Sequence, residues 1–119
     1  MPKALSVLDI SAPVHCPPMA AGVMDGRHAL EVALRLKALA DPVRVQLMSM
    51  VLAGAQVGVC TCDLAPAVSL SEATVSHHMR VLREAGLVEG TKKGTNTFYR
   101  PQSAALAALV RVLDPNCCP

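Results

Sequence analysis

Cys60-Thr61-Cys62 stands directly before Asp63-Leu64-Ala65, ten residues ahead of the segment Glu72-Ala73-Thr74-Val75-Ser76-His77-His78-Met79-Arg80. The first element supplies two thiolates, ligands that suit soft, thiophilic ions and discriminate against hard oxygen-seeking ones. The second carries short polar donors and a cation, the side-chain chemistry that reads base edges and phosphates in a DNA groove. Two such sites so close in sequence can share one rigid unit. A sensor whose metal occupancy alters its grip on DNA is therefore the natural expectation.

Backbone geometry limits how the thiols work. Inside a regular helix residues i and i+2 lie about 200° apart, so Cys60 and Cys62 cannot grip one ion from mid-helix. At a helix entrance the backbone is not yet helical and the sulfurs can converge, and the positive end of the helix favours thiolate over thiol. Two sulfurs leave a site incomplete: trivalent arsenic or antimony takes three in a pyramid, and cadmium, lead or zinc three or four. Cys16, Cys117 and Cys118 are the available completers. His15 beside Cys16 offers a nitrogen, though a solvated histidine is the plainer reading. An odd total of five cysteines cannot pair completely within one chain, which favours ligands or reactive thiols over structural disulfides. Buried packing groups and a redox pair are the competing readings of Cys60 and Cys62, although the spacing is not the Cys-x-x-Cys of oxidoreductases.

The elements that must position these groups follow from periodicity and punctuation. Residues 1–26 hold Pro2, Pro13, Pro17, Pro18, Gly22 and Gly26 without a sustained period, which reads as a flexible arm. A helix is predicted over Arg27 to Ala40, and Asp41-Pro42 opens the next, with Asp as N-cap and Pro at the first helical position. Val43, Leu47, Met50 and Val51 form an amphipathic stripe that Gly54 terminates. A short helix is expected near Cys62 to Val68, with Pro66 tolerable only close to its first turn. The following helix is capped by Ser69 or Ser71, buries Val75, Met79 and Leu82, and ends at Ala85-Gly86. Leu87-Val88 and Thr97-Phe98-Tyr99 are β-prone and flank a basic hairpin tip, Gly90 to Asn96. Ser103 to Leu113 is a last helix with Leu106, Leu109, Val110 and Leu113 on one stripe, before Pro115 breaks the chain.

The predicted domain thus spans 27–113, followed by a cysteine-containing tail, 114–119. Two short helices joined by a tight turn and followed by a basic hairpin make a winged helix-turn-helix, mainly α with a small β-hairpin. Its DNA-facing candidates are Ser71, Thr74, Ser76, His77 and Arg80 on the second helix, with Lys92 and Lys93 at the hairpin tip for phosphate. Adjacent histidines point about 100° apart on a helix, so His77 should face outward and His78 pack against the preceding helix.

Composition agrees. Hydrophobic residues make up 52% and aromatics 2%, so the core must be built from Ala, Val, Leu and Met, a mixture that favours packed helices. The net charge of +2 sits within Glu72 to Arg100, where Arg80, Arg83, Lys92, Lys93 and Arg100 outnumber Glu72, Glu84 and Glu89. No long uncharged apolar run and no basic-then-apolar start is present, which points to a cytoplasmic protein without a membrane partner. No nucleophile with a base and orienter and no cofactor-binding glycine pattern stands out, so neither an enzyme nor a small organic substrate is expected.

Taken together, Leu39-Ala40-Asp41-Pro42-Val43-Arg44, Val59-Cys60-Thr61-Cys62-Asp63-Leu64, Thr74-Val75-Ser76-His77-His78-Met79, Leu82-Arg83-Glu84-Ala85-Gly86-Leu87-Val88 and Phe98-Tyr99-Arg100 resemble the ArsR/SmtB family of bacterial metal-responsive repressors over about residues 28 to 113. The resemblance implies a homodimer that binds double-stranded operator DNA when metal-free and lets go on binding inducer. It also implies that the first and last helices form the dimer contact, which here means Leu30, Leu34, Leu106, Leu109, Val110 and Leu113. Family members with paired cysteines recruit a further thiol from the N-terminal arm, others from near the C-terminus. Cys16 is accordingly the first choice for third ligand and Cys117 and Cys118 the alternatives. The family's other site, of Asp, His and Glu on the last helix, has no counterpart between Ser103 and Leu113, which argues against zinc, nickel or cobalt. As(III) or Sb(III) is the expected inducer, with Cd(II) or Pb(II) or a thiol redox signal as alternatives. Thr61 between the cysteines and Pro66 depart from the family pattern and place the local helix geometry in question.

Overall fold

The computed structural model of the chain describes residues 9–114 and 116; Cys117 and Cys118, both candidate ligands, lie outside them. The helices are α1 (Gly26–Leu39), α2 (Pro42–Ala53), α3 (Thr61–Val68), α4 (Glu72–Glu84) and α5 (Ser103–Leu113). The strands are β1 (Val59–Cys60), β2 (Val88–Lys93) and β3 (Asn96–Pro101), and a short 3-10 turn at Met19–Ala21 precedes α1.

The caps explain most boundaries. Asp25 accepts from the His28 amide at the start of α1, and Asp41 accepts from Val43 and Arg44 at the start of α2, whose first residue is Pro42. Ser71, not Ser69, caps α4 by accepting from the Thr74 amide. Ser69 instead takes a left-handed conformation, φ 58°, and ends α3, with Leu70 N–H donating to Ala65 and Ser69 N–H to Pro66. That double closure turns the chain sharply from α3 into α4. Pro66 sits well inside α3, past the first turn to which it was expected to be confined. The ring removes one amide from the helix ladder on an exposed face, and the helix spans only eight residues.

The wing is longer than its β-prone residues suggest. β2 and β3 pair antiparallel from Val88↔Pro101 to Lys93↔Asn96, so the tip shrinks to Gly94-Thr95. β1 adds to the other edge of β3, Val59 opposite Tyr99 and Cys60 opposite Phe98, in sheet order β1-β3-β2. The core lies between the helices and this sheet: Leu47, Val51, Leu64, Val75, Met79, Leu82 and Leu87 are fully buried. Leu109, expected at a dimer contact, is also buried within the chain, whereas Leu30, Val110 and Leu113 remain exposed. Leu34 and Leu106 are half-buried. Among the described residues, no helix is long and apolar enough to cross a membrane.

The arm ahead of α1, expected to be flexible, packs against the domain over part of its length. Val14 is buried in the core, and Ile10, Cys16 and Met24 pack against it.

Candidate metal centre and nucleic-acid interface

Cys60 is the last residue of β1 and the N-cap of α3, with extended backbone, φ −75° and ψ 146°. Its sulfur accepts from the Cys62 amide at 3.0 Å. In this position the two side chains escape the divergence of a regular helix. Their sulfurs meet and are joined as a disulfide, with Cα atoms 5.1 Å apart. Cys60 is buried and Cys62 exposed, so the pair has one face against the domain and one open. Thr61 between them is buried, which accounts for an uncharged residue there.

Cys16 is held elsewhere. It is half-buried, with its sulfur 3.9 Å from the His28 carbonyl at the start of α1. Burial, followed by the nearby Glu31 carboxylate, pushes its thiol pKa up. Among the described residues no three His, Cys, Asp or Glu side chains gather as a metal set, so one chain does not bring Cys16 to the Cys60-Cys62 pair. His15 lies beside Cys16 along α5, near Arg111, and joins no such set.

The pair is mechanically placed. Through β1 it is zipped to β3, the inner strand of the wing. Through α3 it is one turn of chain from α4. Whatever moves Cys60 or Cys62 therefore pulls on both elements that flank a DNA groove in a winged helix.

On α4 the buried face is Val75, Met79 and Leu82, as the periodicity predicts. Thr74, His77 and Arg80 are exposed and Ser76 is half-buried. The Ser71 hydroxyl caps the helix and donates to Thr74 Oγ1 at 2.9 Å, so it organises the helix start as well as facing outward. Lys92 and Lys93 are exposed on β2, and Lys93 Nζ stands over the Phe98 ring, 5.4 Å from its centre.

His78 is half-buried, and its Nδ1 lies 3.1 Å from Arg44 Nη1 of α2. Arg44 Nε donates to the Ala38 carbonyl of α1 at 2.6 Å, so one guanidinium ties the ends of two helices to α4. Asp41 caps the same corner; the backbone hydrogen bond from Arg44, with that from Val43, holds its carboxyl below the usual range. Sequence reasoning missed this link because nothing in local spacing pairs residues thirty-four apart, although Asp41-Pro42-Val43-Arg44 was legible as a helix start.

Comparison with known proteins agrees with this architecture. A family model described as bacterial regulatory protein, arsR family, matches residues 41–90. The chain is 43% identical over 77 residues to a transcriptional repressor SmtB homolog of Synechocystis sp., covering 65% of this chain and 56% of that relative. It thus spans little more than half of that protein's length. It is 34% identical over 84 residues to the arsenical resistance operon repressor of Staphylococcus xylosus, covering 71% of this chain and 78% of the relative. Among solved structures it is similar to the homodimeric winged helix-turn-helix DNA-binding domain of a possible ArsR-family regulator from Mycobacterium bovis. That match has a TM-score of 0.57 and 35% identity over 77% of this chain and 87% of that one. The fold, the motifs carried by α2 to β3 and these relatives agree: the chain belongs to the ArsR/SmtB family of bacterial transcriptional regulators, which are not enzymes.

Proposed function

We propose that this chain is a homodimeric, metal-responsive transcriptional repressor of the cytoplasm. It binds operator DNA when metal-free and releases it when As(III) or Sb(III) binds the thiolates of Cys60 and Cys62 with Cys16 as third ligand. The observation that carries this reading is the convergence of the two sulfurs at the start of α3, between the wing strand and the recognition helix. A donor set of soft sulfurs with one open side suits a pyramidal trivalent ion. Because Cys16 stands apart from the pair in a single chain, the third thiol is best supplied by the partner subunit's arm. The exposed Leu30, Val110 and Leu113 support a partner docking on α1 and α5.

On DNA, Thr74, Ser76, His77 and Arg80 of α4 enter the major groove, with Ser71 at the helix start, and Lys92 and Lys93 meet phosphates. Inducer acts by a coupling free energy of about 1–3 kcal/mol, and reciprocity requires DNA to weaken inducer binding equally. Cd(II) or Pb(II), which take three or four thiolates, is the alternative inducer, with Cys117 and Cys118 as further donors.

A second reading is favoured by the same sulfur contact. Oxidation of the Cys60 and Cys62 thiols to a disulfide removes two protons and two electrons, which peroxide takes up to become water. The test is a titration of the reduced protein, bound to a fluorescent copy of its own promoter, with arsenite, antimonite, cadmium, lead, zinc and peroxide. It is repeated with Cys16→Ser, Cys60→Ser, Cys62→Ser and the Cys117→Ser/Cys118→Ser pair. Release by arsenite that needs Cys60, Cys62 and Cys16 supports the main reading. Release only by cadmium or lead, or only by peroxide, replaces it with the corresponding alternative.

A further inference from the structure

The arm ahead of α1 touches three elements within a few residues, and one of them is the end of the recognition helix. Gly86 closes α4 with φ 75°, and its amide donates to the Arg83 carbonyl while the Leu87 amide donates to Leu82. The Ser11 backbone rests directly on it. A Cβ at Gly86 would run into the Ser11 carbonyl oxygen, with the carbonyl carbon 2.7 Å away and Cα 3.1 Å away. One residue on, Arg35 of α1 donates Nη2 to the Ala12 carbonyl at 3.0 Å and Nη1 to the Glu31 carbonyl at 2.8 Å. Arg35 is only 4% exposed, and its Nε has no partner among the described residues. Val14 then enters the core at 7% exposure, and Cys16 follows beside Ala108, Arg111 and Val112 of α5.

We propose that residues 10–16 are a strap that couples the seat of Cys16 to the C-terminal end of the recognition helix. Seated, the strap buttresses the α4 end through Gly86 and supplies the acceptor for Nη2 of the Arg35 guanidinium. For Cys16 to reach a cysteine pair it must leave α5 and His28, and the short segment between Ser11 and Cys16 draws the Ser11 and Ala12 carbonyls with it. Lifting the strap leaves Nη2 of this buried guanidinium without an acceptor beside the already unpartnered Nε, which is costly, so Arg35 must rearrange as the strap lifts. Seated and lifted are then two discrete arrangements, not a continuum. What lifts the strap rests on the reading of Cys16 as inducer ligand; its coupling to α4 does not, and is tested without metal.

The experiment uses the reduced, metal-free full chain. The rate of Cys16 alkylation by iodoacetamide is followed by mass spectrometry of its peptide, with and without a duplex of the protein's own operator. Operator affinity is measured by fluorescence anisotropy for the unmodified chain, Val14→Ser and Arg35→Gln. If the strap is coupled to α4, operator DNA slows Cys16 alkylation. Each variant speeds alkylation and weakens operator binding about fivefold or more, the lower end of typical coupling. Val14 lies outside every helix, so its variant carries the test if Arg35→Gln does not fold. The proposal is overturned if DNA leaves the alkylation rate unchanged. It is equally overturned if the variants leave the rate unchanged, or free Cys16 without weakening operator binding. Failure of arsenite to release DNA in the titration above would overturn the inducer reading and leave this result standing.

Discussion

The link from Arg44 to His78 is a point where a substitution away from the side chains proposed to face DNA should weaken both stability and DNA binding. Arg44 Nη1 and His78 Nδ1 are 3.1 Å apart, and Arg44 also holds the Ala38 carbonyl. Hydrogen bonds with one charged partner contribute about 1.5–3 kcal/mol net. Both side chains are half-buried, so water can partly replace the lost partner and the lower end applies, about 1.5 kcal/mol. Arg44→Ala alone costs more than this because it also strips Ala38 of its donor, which is why the pair must be isolated by a double-mutant cycle. The assay is urea unfolding of the unmodified chain, Arg44→Ala, His78→Ala and the double variant, at one fixed protein concentration because the apparent stability of the proposed dimer would depend on it. The expected coupling is about 1.5 kcal/mol, and His78→Ala lowers the melting temperature by roughly 6 °C. Operator affinity also falls for His78→Ala, since α4 loses its tether to α2, while the salt slope is unchanged because no phosphate contact is removed. A coupling of about 0.5 kcal/mol or less, the level at which independent sites add, would refute the tether.

Lys92→Ala with Lys93→Ala should weaken binding of every DNA sequence alike and flatten the plot of log affinity against log salt by about 0.9 per lysine, measured by anisotropy across a salt series. Leu82→Ala, at a fully buried position on α4, should cost about 3–5 kcal/mol in urea unfolding. Asp41 has its carboxyl held low by the Arg44 and Val43 amides, so its contribution is present above the unfolded carboxylate pKa and lost as pH falls through the lower folded value. Asp41→Ala should therefore be less stable at neutral pH and lose less on acidification than the unmodified chain, as read by thermal melts across the acid range.

Much of this fold was legible because its signals are local. Asp41-Pro42, Ser71 and Gly86 mark helix ends through short-range hydrogen bonds and backbone preferences, and the start of α2 and both ends of α4 fall at or within a residue or two of where those residues place them. The face of α4 that holds Val75, Met79 and Leu82 follows from a period of 3.6 residues alone. Ser71 over Ser69 was not decidable from spacing, since both residues are good caps; Ser69 is consumed by closing α3.

The helices, the two cysteines just ahead of the polar face of α4 and the family were readable along the chain, because each is carried by residues within one or two turns of each other. Tertiary structure alone decided the rest. It zipped Cys60 to the wing through a two-residue strand too short to announce itself, and drew Leu109 into the chain's own core. It tied His78 to α2 and laid a proline-containing arm across Gly86. Each of these joins residues far apart in the chain, where burial and hydrogen-bond satisfaction, not local backbone preference, set which partner is met.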